Sequence, residues 1–325
     1  MFIYVVMGFI FSVLIGKVFL KIVTKMNIVQ PILSDAPEIH QQKAGTPTMG
    51  GISFLIPFIL MCFVLLFFKG EDYNSYIIIG FLIIALGFGY IGYRDDFQKV
   101  LHKKNEKGLS AKAKLVLQFL MSFFVIWIMI LINYGTTISI FNFTFDLGIL
   151  YIIIAPFMIV GFSNASNFTD GLDGLLVTLS IIIFSSLLFI ANFNGQTTMV
   201  VLISFLIGSL FGFLFYNKHP AKMFMGDTGS LVIGSILAFS IIVLKVEVLG
   251  LFMASILIFE VLSVVIQVSY FKYTKKKYGE GRRIFRMTPI HHHFEKGGMS
   301  ERKVVLLFAS VQLIICFIAI LIFIR

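Results

Sequence analysis

Ten apolar runs follow one another along this chain, at about 2–20, 51–68, 76–93, 115–132, 147–162, 175–191, 197–216, 231–244, 248–270 and 304–324. A helix that crosses a bilayer needs roughly 20 such residues. None of the runs keeps a polar face, so each reads as a helix facing lipid or other helices. The fifth, sixth and eighth are short, which predicts tilting or local thinning of the bilayer. Apolar residues make up 58% of the 325, and charged residues only 13%. That is about half the charged share of a soluble domain, roughly 25%. Such a chain cannot cover a water-soluble globule of its size with polar surface. A soluble enzyme and a disordered chain are excluded. So is a disulfide scaffold, because the only cysteines, Cys62 and Cys316, lie apart inside apolar runs. The first residues, Met1-Phe2-Ile3-Tyr4, lack a basic leader region and read as a retained first span. The expected fold is therefore all-α and polytopic: one membrane domain over 1–325, with about ten transmembrane helices.

The polar segments between runs alternate in charge. All but Lys69, Lys245 and Arg325 of the 26 basic residues fall on one side, in loops at about 21–50, 94–114, 163–174, 217–230 and 271–303, or at Lys17 beside them. Basic loops stay in the cytoplasm, which puts both termini on the extracytoplasmic side. The same rule accounts for the net charge of +10, so no nucleic-acid partner is needed. It does not account for the six histidines, all on that side, or for eleven of the sixteen acids there. Polar chemistry is concentrated on the cytoplasmic face.

Each even-numbered run is preceded by an unusual polar stretch. These are Lys43-Ala-Gly-Thr-Pro-Thr48-Met-Gly-Gly51, Arg94-Asp95-Asp96-Phe-Gln-Lys99, Asn164-Ala-Ser-Asn167-Phe-Thr-Asp170-Gly171-Leu172-Asp173-Gly174, Phe224-Met-Gly226-Asp227-Thr-Gly-Ser230 and Pro289-Ile-His291-His292-His293-Phe-Glu295-Lys296. Helix N-termini carry free N–H groups and a positive dipole end, which suit phosphate. Glycines let the backbone approach an anion closely. Aspartates would repel phosphate unless a divalent cation lies between, and Mg²⁺ takes carboxylate and phosphate oxygens together. The joint reading is a Mg²⁺-dependent site for a diphosphate at the inner membrane surface. Taken singly, each stretch has a plainer explanation. Asp95-Asp96 suits an ordinary loop, Asp170 and Asp173 suit N-caps of the sixth span, and Gly226–Gly229 suits a tight turn. Five such stretches on one face favour the joint reading. Glu260 is the clear acid inside a run, where insertion costs about 2.5–3.5 kcal/mol; it suits a groove-lining or helix-bonding role.

The five stretches, in order and over nearly the whole chain, resemble those of the phospho-N-acetylmuramoyl-pentapeptide transferases. The aspartate motifs alone are shared with the wider superfamily of polyprenyl-phosphate N-acetylhexosamine-1-phosphate transferases. The Thr-Pro-Thr-Met-Gly-Gly and His-His-His-Phe-Glu stretches point to the narrower family. The resemblance implies that undecaprenyl phosphate attacks UDP-N-acetylmuramoyl-pentapeptide, with UMP leaving, in a bacterial plasma membrane. It implies Asp227 as Mg²⁺ ligand, and Asp95, with Asp96 beside it, as the group that activates or orients the lipid phosphate. Asn167, Asp170, Gly171, Leu172 and Asp173 would line the nucleoside pocket, with Phe224 stacking on uracil and Gly226 in the same segment. Lys43, Thr48, His291, His292 and His293 would surround the phosphates and sugar, with His291 counted among the catalytic groups. Lys114 matches a family lysine near the aspartate pair, and Lys112 lies two residues from it. The chain departs from the family pattern at Leu33, Met299 and Leu307. A homodimer is compatible with this reading.

Two rival readings make different demands. A transferase for N-acetylglucosamine 1-phosphate would lack the threonine–proline and triple-histidine stretches. A transporter or flippase would work through ionisable groups at the midplane, of which this chain has only Glu260.

Overall fold

The computed structural model describes residues 1–26, 45–68, 73–102, 108–132, 134–140 and 143–325. Lys43 and the segment around Leu33 lie outside them. Among the described residues the chain forms twelve helices and one small hairpin. Eight helices are long and apolar enough to cross a membrane. They are α1 (Phe2–Lys25), α3 (Ser75–His102), α4 (Ala111–Leu131), α5 (Ile149–Thr169), α6 (Leu175–Phe193), α7 (Thr197–Asn217), α10 (Ser255–Tyr278) and α12 (Glu301–Ile324). Two further apolar helices are shorter, α2 (Ile52–Phe68) and α8 (Asp227–Val243). The remaining two, α9 (Glu247–Met253) and α11 (Ile290–Lys296), have seven residues each.

The architecture is a helical bundle built around α8. Every residue of α8 from Thr228 to Val243 is buried, enclosed mainly by α3 and α5. Helices pack in lipid through close backbone approach at small residues rather than through hydrophobic exclusion. The pair α1–α7 shows this. Gly8, Ser12 and Gly16 are buried at four-residue spacing; Gly8 lies against Phe205 and Ser209, Ser12 against Gly212, and Gly16 against Tyr216. A Cβ at Gly8 would fall 2.2 Å from the Phe205 carbonyl oxygen, and one at Gly208 would fall 2.0 Å from that of Val5.

The all-α expectation stands at the level of class, and three finer points differ. The chain is not wholly helical: β1 (Thr137–Ile140) and β2 (Phe143–Asp146) pair antiparallel, with Thr137 opposite Asp146. The Thr-Ile-Ser-Ile alternation of β1 suits a half-covered strand, and four residues are too few to register beside 20-residue runs. The ninth apolar run is two helices, broken at Ala254 between α9 and α10. Such a break frees carbonyls that lipid cannot satisfy. Buried Gln312 of α12 donates from Nε2 to the Met253 oxygen at 2.7 Å. Finally, several helices outrun their apolar runs. α3 continues to His102, so Asp95 and Asp96 belong to its final turns and not to a loop opening the next helix. Lys99 lies one turn beyond Asp95, and the ion pair between them, Nζ to Oδ2 at 2.5 Å, supports helix at that end.

Candidate active site

The last turns of α3 meet the first turn of α8. Gly92 allows this, since a Cβ there would fall 2.2 Å from the Asp227 carbonyl oxygen. The contact brings Asp96 to the N-terminus of α8. Its Oδ1 accepts from the Asp227 N–H at 3.1 Å, and its Oδ2 accepts from the Thr228 N–H at 2.9 Å and the Thr228 hydroxyl at 2.7 Å. Gly226, the residue before α8, offers no side chain for this purpose. Asp96 therefore caps α8 from another helix, satisfying donors that would otherwise be orphaned. It also fixes where Asp227, the first residue of α8, points.

Asp95 faces the same space from one residue earlier. Its Oδ1 accepts from the Leu109 N–H at 2.8 Å. Its Oδ2 meets Lys99 Nζ at 2.5 Å and Lys114 Nζ at 3.1 Å. Both ammonium groups also reach Asp227 Oδ2, at 3.3 Å from Lys99 and 2.6 Å from Lys114. The other oxygen of Asp227 accepts from Asn167 Nδ2 at 2.9 Å, and the same amide reaches Ser230 Oγ at 2.8 Å. Three carboxylates thus share one place with two lysines. One oxygen from each of Asp95, Asp96 and Asp227 lies within 4.8 Å of the others. Burial disfavours the charge on Asp227, yet Lys99 and Lys114 overcome it and hold the carboxyl below the usual carboxylate range. Asp170 has the opposite bias. Burial first, then the charges of Asp227, Asp96 and Asp173, push it well above that range.

The glycine-rich segment before α2 completes this end. The Gly50 N–H donates to the Phe224 oxygen at 2.8 Å, the Gly51 N–H to the Met225 oxygen at 2.9 Å, and the Phe224 N–H to the Pro47 oxygen at 2.8 Å. Two sequence stretches some 175 residues apart are therefore laced together by backbone. Gly51 must be small, because a Cβ would fall 2.3 Å from Gly229 Cα. Thr48 is buried beside Gly226. Gly226 holds φ +73°, and a Cβ there would fall 2.5 Å from Asp96 Oδ2. Phe224 is half-buried.

The turn from Asp170 to Gly174 lies between α5 and α6. Neither aspartate caps α6, contrary to the N-cap alternative. Asp170 closes α5, and the N-cap of α6 is Gly174, with φ +77° and its N–H donating to Asn217 Oδ1 at 3.1 Å. Asp173 is turned aside and buried. Its Oδ2 accepts from the Ala221 N–H at 3.0 Å and lies 3.1 Å from His219 Nδ1, while its own N–H donates to Glu301 Oε1 at 2.6 Å. Leu172 is buried in the core. Gly171 meets His291: a Cβ there would fall 2.2 Å from His291 Nε2. His291 is fully buried, with Nδ1 3.0 Å from Glu260 Oε2. His292 Nδ1 pairs with Glu295 Oε2 at 3.0 Å. His293 turns toward Phe285, and its Nδ1 accepts from the Arg286 N–H at 3.1 Å. The three adjacent histidines thus have three different partners, with the His291 and His292 ring centroids still 4.1 Å apart.

Between the two candidate lysines the structure separates clearly. Lys114 joins the carboxylates, while Lys112 is exposed. Lys99 and Glu260 were not among the residues assigned to the site from sequence. The signal for Lys99 was present as the i,i+4 spacing from Asp95. Glu260 carried no local signal for its partner, which lies 31 residues away.

Comparison with known proteins agrees with this geometry. Residues 78–245 match the family model for glycosyl transferase family 4, and residues 43–55 match signature 1 of the phospho-N-acetylmuramoyl-pentapeptide-transferases. The curated phospho-N-acetylmuramoyl-pentapeptide-transferase of Clostridium beijerinckii is 41% identical over 320 residues, spanning 96% of this chain and 93% of the relative. That of Listeria welshimeri is 41% identical over 309 residues, 94% of this chain and 93% of the relative. That of Streptococcus uberis is 46% identical over 268 residues, 81% of this chain and 78% of the relative. With likeness running almost end to end and the signature segment laced to the aspartate cluster, the chain belongs to the phospho-N-acetylmuramoyl-pentapeptide transferase family.

Proposed function

We propose that this chain moves the phospho-N-acetylmuramoyl-pentapeptide unit from its UDP conjugate to undecaprenyl phosphate, releasing UMP, at the inner face of a bacterial plasma membrane. One observation carries the reading: Asp95, Asp96 and Asp227 converge with Lys99 and Lys114 at one end of an apolar bundle. A soluble diphosphate and a lipid phosphate can meet only at such an end. The charge pattern of the loops supports ten spans, with α2 and α8 as the shorter ones, and both termini outside.

A phosphate oxygen of the lipid attacks the sugar-linked phosphorus, and the bond to the UMP oxygen breaks, its electron pair leaving with UMP. The attacking phosphate is already anionic at neutral pH, so orientation and charge neutralisation matter more than proton removal. Lys99 and Lys114 sit where they can neutralise phosphate oxygens. Asn167 holds Asp227, and the cap from Asp96 aims it. The donor set also fits Mg²⁺, since hard carboxylate oxygens lie close enough to share one ion. Bound by Asp227, with Asp95 and Asp96 near, Mg²⁺ would supply a Lewis acid for the diphosphate.

The test is UMP release by purified protein given undecaprenyl phosphate, Mg²⁺ and either UDP-N-acetylmuramoyl-pentapeptide or UDP-N-acetylglucosamine. Release with the muramoyl substrate alone, abolished by EDTA and by Asp227→Asn, is the expected result. Release with the glucosamine substrate alone would overturn the substrate assignment. Release with neither, from folded protein, would overturn the reaction.

A further inference from the structure

Glu260 lies in α10 with no exposed surface, and so does His291 in α11. A buried carboxylate is costly unless it is paired and hydrogen-bonded. Here Oε2 accepts from both the ring and the backbone of His291, from Nδ1 at 3.0 Å and from the main-chain N–H at 3.4 Å. The two contacts fix the ring relative to its own backbone. They also place a proton on Nδ1, because a carboxylate cannot donate. Nε2 is left as the other nitrogen. It is buried, makes no hydrogen bond, and lies against Gly171 in the Asp170–Gly174 turn. Glu260 Oε1 is likewise buried without a hydrogen-bond partner, so the pair leaves two polar atoms unused in the core.

We propose that Glu260 is a positioning residue for His291: its carboxylate fixes the tautomer and the angle of the ring, and the ring in turn braces Gly171 and so sets the Asp170–Gly174 turn that receives the nucleotide-linked substrate. This rests on the reading that the UDP conjugate binds at that turn. Glu260 touches no substrate and acts through His291. A midplane acid of a transporter would need to exchange ions, whereas this one is sealed against a histidine.

The test compares the kcat and KM of UMP release for the full chain and for Glu260→Gln, Glu260→Ala, His291→Ala and the double alanine variant, with a thermal midpoint for each. Orienting carboxylates behind a histidine carry large rate effects through tautomer and alignment. Glu260→Ala is expected to lose about 100-fold in kcat with little change in KM. Glu260→Gln keeps an oxygen that can accept from both Nδ1–H and the His291 N–H, and should recover about tenfold of that loss. In the His291→Ala background, Glu260→Ala should cost less than about twofold, because the two act as a unit. Should the two losses multiply instead, or should Glu260→Ala lower only the thermal midpoint, Glu260 is structural and the proposal fails. Should His291→Ala turn over at the wild-type rate, the bracing role of His291 fails as well. Glu260→Gln keeps shape and volume, so the comparison survives if the alanine variant does not fold.

Discussion

Two polar clusters stand at opposite ends of α8, about 25 Å apart at 1.5 Å per residue. At its N-terminus three aspartates face two lysines. Beyond its C-terminus one lysine and one glutamate face two tyrosines. There the Tyr134 hydroxyl donates to the Val243 oxygen at 2.5 Å, and Lys245 Nζ donates to the Gly135 oxygen at 2.8 Å. The Tyr151 hydroxyl takes a bond from Lys245 at 3.4 Å and gives one to Glu247 at 2.6 Å. Lys245 also lies over the rings of both tyrosines, 5.2 Å from the Tyr134 centroid and 4.6 Å from that of Tyr151. That cluster balances its own charge, gives the Val243 carbonyl a hydroxyl donor from Tyr134, and sets the Lys245 cation just beyond the C-terminus of α8, where the helix dipole favours it. The aspartate cluster carries more acid than its lysines cancel. Similar residue types therefore make a charge-balanced latch at one end and an acid-rich cluster with uncancelled charge at the other.

The largest expected effect separates the two ends outright. Asp227→Asn should lower turnover by about a thousandfold or more, while the thermal midpoint falls only modestly, since the lost ion pairs with Lys99 and Lys114 are partly offset by relief of repulsion from Asp95 and Asp96. Equal loss of stability would mean that the aspartate end is a latch too. Next, Lys114→Met should reduce kcat by about a hundredfold, whereas Lys112→Met should stay within about twofold. Similar losses from both would show general surface charge at work. Asp96→Ala should cost about 1 kcal/mol of stability as a lost cap, together with activity, because α8 carries Asp227. The smallest effect belongs to the tyrosine end. Tyr151→Phe should cost about 1 kcal/mol in unfolding and leave UMP release within about twofold. A large loss of turnover there would break the comparison and give that end a part in the reaction.

The helices were legible because their signal is local. A run of apolar residues reports its own length and environment without reference to the rest of the chain. The hairpin at Thr137–Asp146 and the break at Ala254 were not legible. The first is short, and the second depends on Gln312, 59 residues away, to satisfy what the break exposes. At the site, the motifs marked which segments carry chemistry but not which oxygen faces which neighbour. Asp95 and Asp96 are adjacent in sequence, yet on a helix they point about 100° apart. One faces the lysines and the other caps α8.

By itself the sequence determined the class: a polytopic helical protein with its polar residues gathered at one end, and the five segments that gather there. Hydrophobicity and positive charge act residue by residue, so they can be read without a fold. Only the tertiary structure decided that Lys114 and not Lys112 joins the carboxylates, that Asp173 turns toward His219, and that Glu260 holds His291. Those outcomes depend on contacts between helices far apart in sequence, such as Asp96 with Thr228 across 132 positions. Such contacts arise from how glycine-lined helix backbones pack, not from any periodicity along the chain.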